Sequence, residues 1–281
     1  MSFAVSLKSC RAKLKQARRH RATLIAEVDK HFSVSTNRPT LVAELDPISG
    51  DHIFRVASVP PIAELQEILA VTVGDAVHNL RSALDHLAFQ LACVNTNGVL
   101  KHEKSVQFPI GDTAKEYADQ ADRYLKEVHQ THRKMVDSYQ PYYGNVGRPD
   151  NYSGPYIHQL SLLRDLSNSD KHRLLNTVLI IPAGANFTLP AGIEVAKFEP
   201  KSLDEMRRTG PFRNAGDRLE VGVEVFRHRL SGQNVIPRIS NVGNVIPHIA
   251  FAENRSLIPA LERLESFVEL VVNDFGAKLG V

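Results

Sequence analysis

The side chains best suited to chemistry lie in one stretch, residues 74 to 94, whose sequence is GDAVHNLRSALDHLAFQLACV. Within it, Arg81 and His86 form an R-x4-H arrangement. A histidine acts as a general acid or base near neutral pH, and an arginine holds a phosphate or stabilises developing negative charge. Cleavage of RNA by attack of its 2′-hydroxyl needs these roles and no metal ion. The two residues therefore supply the kinds of group that such a cleavage requires.

The polar residues of this stretch divide into two groups when they are placed on a helix at about 100° per residue. One side of the helix carries His78, Arg81 and Asp85. The other side carries Asp75, Asn79, Ser82 and His86. Arg81 and His86 are about 140° apart, so a substrate or a second subunit must bridge them.

A second cluster of capable side chains lies at residues 167 to 175, where the sequence is SNSDKHRLL. Its SNS triplet is typical of a turn or a helix cap. In the central helix, we expect four residues to be catalytic: Arg81, His86, Asp85 and His78. We expect the substrate to be bound by Asn79, Ser82, Asp170, Lys171, His172 and Arg173.

A metal site is an alternative use of the same residues. If the second cluster packs beside the central helix, Asp170 or His172 can join the histidines and the acid of that helix. Two histidines and two carboxylates suit zinc or another divalent metal. The spacing matches no standard metal motif, because the sequence has neither HExxH nor a CxxC pair. We therefore expect no metal and no cofactor.

Long helices must position these residues. Apolar side chains recur at three- and four-residue steps over 3–32, 61–94 and 256–276, and shorter helical patterns lie near 113 and over 155–167. Strand composition marks a hairpin, 40–45 and 52–59, and several segments after residue 173. A helical bundle is the natural environment for the long central helix.

These elements predict an α+β fold, a helical bundle with long helices plus an antiparallel sheet, in a single domain covering 1–281. The helical core covers about 1–172 and 255–281. The β-rich part covers about 173–253, and the hairpin 40–59 completes its sheet.

The composition is that of an ordinary globular protein, with 43% hydrophobic and 23% charged residues and a net charge of +3. Cys10 and Cys93 fall at apolar positions of predicted helices, which indicates buried free thiols and a reducing cytoplasm. The chain has no signal-peptide pattern at its start and no apolar run of 18 residues. We therefore expect a cytoplasmic protein without a membrane segment.

The sequence RSALDH, from Arg81 to His86, resembles the R-x4–6-H signature of HEPN-type ribonucleases. This resemblance implies a HEPN-like bundle, metal-independent cleavage of RNA, and a homodimer whose paired motifs form a composite site. Proteins of that class act as toxins and defence effectors. Separately, HNLRSALDHLAFQL with the downstream LSNSDKHRLL looks like a widespread family of uncharacterised bacterial proteins, many of them actinobacterial. That second resemblance implies no established activity.

A non-catalytic binding protein is the rival interpretation. The first predicted helix carries a basic stripe suited to a phosphate backbone: Lys8, Arg11, Lys15 and Arg18. Every tyrosine lies between residues 117 and 156, and aromatic loops can stack nucleobases. In this interpretation the polar face of the central helix stabilises packing, and a nucleic acid or protein is bound without cleavage.

Overall fold

The mixed α+β prediction is confirmed by a computed structural model, which describes residues 4–144, 157–172, 178–187, 191, 193–195, 220–232, 236–251 and 257–281. These residues form two compact units. The helical unit comprises Met1–Leu24, Ala70–Asn176 and Pro259–Val281, and the sheet unit comprises Ile25–Leu69 and Thr177–Ile258. That the chain is a single domain stays a prediction.

Six α-helices are found among the described residues. They are α1 (Lys8–Ser33), α2 (Ala63–Thr96), α3 (Ala114–Tyr124), α4 (Gln130–Ser138), α5 (Gln159–His172) and α6 (Leu257–Leu279). The long helix α2 forms because its leucines share one face, and Leu80, Leu84, Leu87 and Leu91 are all fully buried. The helix ends where Asn97 and Gly98 adopt positive φ angles of 50° and 85°. None of the described helices is long and apolar enough to cross a membrane.

Helices α1 and α6 run antiparallel in the helical unit and are joined by ion pairs. Arg18 of α1 lies 2.6 Å from Glu269, and Arg21 lies 2.8 Å from Glu262 and 3.0 Å from Glu265. Glu265 is only 3% exposed, so its charge is stabilised by the guanidinium groups beside it. Part of the predicted basic stripe of α1 is therefore neutralised within the helical unit itself.

The start of α3 follows the capping pattern that its sequence predicts. Thr113 is the N-cap, and its side chain accepts a hydrogen bond from the backbone N–H of Glu116. The Glu116 carboxylate in turn accepts from the N–H of Asp112 at 2.9 Å. These bonds fix the angle at which the preceding segment enters the helix.

Gly111 lies where a side chain has no room. A Cβ atom there would be 2.5 Å from the backbone nitrogen of Tyr117 and 2.9 Å from its Cα. We expect Gly111→Ala to lower the free energy of unfolding by about 2 kcal/mol, because overpacking forces the backbone to move. Urea denaturation checks this value. The exposed Ala118→Ser is the control, with an expected change below about 0.5 kcal/mol. A Gly111→Ala protein of wild-type stability would contradict the close approach of Gly111 to the backbone of Tyr117.

The sheet unit contains seven strands within the described residues: β1 (Thr40–Leu45), β2 (His52–Ser58), β3 (Val178–Phe187), β4 (Ile193–Val195), β5 (Glu224–His228), β6 (Leu230–Gly232) and β7 (Arg238–Phe251). Five form a sheet of order β3-β7-β1-β2-β5, and β4 pairs with β6; all pairs are antiparallel. The predicted sheet of N-terminal hairpin and C-terminal strands is confirmed. Strand β7 runs without a break through the sequence SNVG and pairs with both β1 and β3.

Candidate active site

Arg81 and Asp85 hold a buried stretch of backbone against α2. Their side chains form an ion pair of 3.1 Å and are 15% and 29% exposed, respectively. The Asp85 carboxylate accepts a hydrogen bond of 2.9 Å from the N–H of Phe108, and the Arg81 guanidinium donates to the Phe108 carbonyl. Phe108 itself is fully buried. The pair therefore satisfies both backbone polar groups of a residue that has no access to water.

Two glutamines continue this pattern along the segment 108–111. Gln120 of α3 uses both ends of its amide on Ile110, accepting from the N–H at 3.0 Å and donating to the carbonyl at 2.9 Å. Gln140 is completely buried. Its oxygen accepts from the N–H of Gly111 at 2.9 Å, and its nitrogen donates to the carbonyls of Pro109 and Val136. A buried segment without regular secondary structure is thus held inside the helical unit by side chains.

The four side chains that hold this segment, which we call the backbone clamp, are Arg81, Asp85, Gln120 and Gln140. The N–H and C=O groups of a buried segment lose their contact with water, and each unpaired group costs about 1–3 kcal/mol. The clamp supplies the missing partners. Arg81 therefore already has two partners, a carboxylate and a carbonyl, before any phosphate approaches.

His86 lies on the other side of Asp85, in a groove of about 430 Å³. The groove is lined by Ser9, Asp85, His86, Phe89, Gln90 and Val106. His86 is partly exposed, and within the described part of the chain its imidazole forms no hydrogen bond. Asp85 consequently belongs to both sites, since it pairs with Arg81 and lines the groove beside His86.

The chain just before α1 contacts Gln90, one of the residues that line the groove. The backbone N–H of Ser6 donates to the side-chain oxygen of Gln90 at 3.1 Å. Cys10 follows Ser9 and is buried, and burial raises the pKa of its thiol to about 11. The thiol is therefore protonated at neutral pH and is not a nucleophile for the groove. Both cysteines are free and buried, as the sequence predicts.

The remaining polar residues of α2 make contacts along the helix. The Ser82 hydroxyl lies 3.4 Å from Nε2 of the exposed His78. The Asn79 amide is buried and donates to the carbonyl of Asp75 at 2.8 Å. Asn79 is thus a packing residue whose amide is satisfied by its own helix.

Residues 167–172, the described part of the second predicted cluster, lie on helix α5 and not in a turn. Helix α5 continues through the SNS triplet to His172, and Ser167 is 5% exposed. Burial of this face favours the helix over the turn that the polar composition indicates. Asp170, Lys171 and His172 belong to the last turn of α5, and Arg173 lies outside the described residues. Among the described residues, no group of three or more His, Cys, Asp or Glu side chains could hold a metal ion.

The sequence did not identify Gln90 of α2 or the site residues that lie outside this helix. Ser9 and Val106 line the groove with Gln90, and Gln120 and Gln140 complete the clamp. One signal was available for the clamp, because FPIG at 108–111 is an apolar run between polar segments. Such a run needs backbone partners, but the sequence does not say which side chains supply them.

Comparison with known proteins gives no relative, because no family model, curated protein or solved structure matches the chain. The resemblances to HEPN-type ribonucleases and to the bacterial family with HNLRSALDH and SNxDKHR motifs remain predictions. The clamp and the groove that contains His86 are therefore the features that bear on function.

Proposed function

We propose that the protein is a metal-independent endoribonuclease in which a HEPN-like helical bundle binds RNA at the groove and His86 is the general acid or base. One observation carries this proposal. An imidazole without a hydrogen-bond partner among the described residues lies in a groove, next to a carboxylate whose position is fixed by Arg81 and Phe108. A free imidazole beside a fixed acid is suited to proton transfer near neutral pH.

The reaction moves one proton onto the imidazole and breaks one phosphorus–oxygen bond. Neutral His86 takes the proton of the 2′-hydroxyl, and the 2′-oxygen forms a bond to phosphorus. The bond from phosphorus to the 5′-oxygen breaks, and the 5′-oxygen takes a proton from a second, protonated imidazole. The products are a 2′,3′-cyclic phosphate and a 5′-hydroxyl.

A homodimer supplies that second imidazole from the equivalent His86.

The R-x4-H spacing indicates that Arg81 binds the phosphate, but the clamp gives this residue a different role. Because its guanidinium is bonded to Asp85 and to the Phe108 carbonyl, Arg81 acts as a positioning residue. It keeps the Asp85 carboxylate at the edge of the groove, where the acid can orient or stabilise a protonated His86.

Cleavage by the purified wild-type protein tests this proposal. Structured RNA incubated with the protein in EDTA is expected to yield fragments that end in 2′,3′-cyclic phosphate. Addition of magnesium is expected not to be required. RNA that stays intact at every pH between about 5 and 8, the range in which histidine titrates, would contradict the proposal.

A non-catalytic RNA-binding protein is the second candidate, and one observation favours it. The guanidinium of Arg81 is already used by the clamp, as expected of a residue that stabilises packing. This candidate predicts salt-dependent RNA binding without cleavage, carried by the exposed residues of the basic stripe. Intact RNA in a stable complex would support it.

A further inference from the structure

We infer that Lys13 is the phosphate-binding residue of the groove, in the place that the R-x4-H spacing gives to Arg81. This inference rests on the proposed function, since it names the group that holds the RNA backbone for His86. A second cation is needed to bind the phosphate because the clamp already holds the guanidinium of Arg81. Arg81 is 15% exposed and has an acid and a carbonyl as partners, so moving it onto a phosphate would leave buried groups unpaired.

Lys13 shares a face of α1 with Ser9, one turn away. Ser9 lines the groove, and Lys13 follows it by four residues, which places both side chains on one face of the helix. The segment that leads into α1 runs antiparallel to α2. Ser6, just before α1, contacts Gln90, and Ser9 lines the groove together with Asp85, His86 and Gln90. In this register, one more turn of α1 places Lys13 opposite residues 82–83 of α2, one helical turn from His86.

The amine of Lys13 is available to bind an anion. It is partly buried, and within the described residues its amine forms neither a hydrogen bond nor an ion pair. Partial burial of a lysine places its methylene groups along the protein surface and leaves the charged end free. Arg18, on the same helix, is instead bonded to Glu269. A phosphate in the groove would thus meet an unneutralised amine from α1 and an imidazole from α2.

The test compares two lysines of α1 that differ in position. Lys13→Gln removes the proposed phosphate ligand, and Lys15→Gln removes an equal charge from the exposed stripe almost opposite on the helix. Binding of single-stranded RNA is measured in a His86→Ala background, so that the RNA stays intact. Lys13→Gln is expected to reduce the slope of log affinity against log salt by about 0.7, the contribution of one phosphate contact. Lys15→Gln is expected to leave the slope unchanged, and Lys13→Arg is expected to restore it.

The outcomes separate this inference from the proposed function. If wild-type protein cleaves RNA and the two glutamine variants have equal slopes, the assignment of Lys13 is wrong and the proposed nuclease stands. If Lys15→Gln alone reduces the slope, the basic stripe binds the RNA and the assignment of Lys13 is again wrong. If RNA is neither bound nor cleaved, both the inference and the proposed function fail.

Discussion

Replacing His86 with alanine is expected to slow RNA cleavage by roughly a hundredfold to ten-thousandfold, the usual contribution of a general acid or base. The substitution removes a side chain that is partly exposed and has no hydrogen bond among the described residues. Its effect on stability should therefore be small, below about 1 kcal/mol. A large loss of rate with little loss of stability is the pattern of a chemical role and not of a packing role.

The measurement is the single-turnover cleavage rate in EDTA at pH 7. His102→Ala is the matched control, because His102 is exposed and its contact with Glu127 is made by its backbone N–H. The control is expected to cleave at the wild-type rate. Equal cleavage by His86→Ala and wild type would remove His86 from the mechanism and leave the groove without an assigned chemical group.

Gln140→Leu is expected to lower the free energy of unfolding by roughly 3 kcal/mol, the largest stability effect among the clamp residues. Gln140 is completely buried and uses its amide on Gly111, Pro109 and Val136. Leucine has a similar volume and fills the space. It leaves the N–H of Gly111 and the carbonyl of Pro109 without partners in the interior, and that is the source of the cost.

Urea denaturation measures this effect as a lower midpoint with an unchanged slope. Gln107→Leu is the control, since Gln107 lies in the same segment and is exposed. The control is expected to change stability by less than about 0.5 kcal/mol. Equal effects of the two substitutions would mean that the buried amide contributes no more than a surface amide.

The helices and the hairpin were predictable because their signals are local. Helix α2 follows from the spacing of its leucines, and the start of α3 follows from Thr113 and Glu116, whose capping bonds are formed as expected. The local signal fails where burial decides the outcome. The SNS triplet is typical of a turn or a helix cap, yet α5 continues through it with Ser167 buried.

The candidate site was predictable only as a set of residues on one helix. The helical wheel correctly places Arg81 beside Asp85, and their ion pair is observed. It cannot show that both residues turn toward Phe108, because that partner lies 27 and 23 residues away and binds through its backbone. The division into two groups assigns His78 and Ser82 to different sides, although the wheel places them only about 40° apart and their side chains lie within 3.4 Å.

The substitution Arg81→Gln tests most directly whether Arg81 only positions Asp85 while His86 carries out the proton transfer. Glutamine keeps an N–H donor for the Phe108 carbonyl and removes the positive charge, so the clamp is weakened while the groove keeps its imidazole. Cleavage of RNA is measured at a temperature where circular dichroism shows the variant to be folded. Because Arg81 positions and does not bind phosphate, the rate is expected to stay within about tenfold of the wild type. A folded Arg81→Gln protein as inactive as His86→Ala would contradict this account and return Arg81 to the catalytic site.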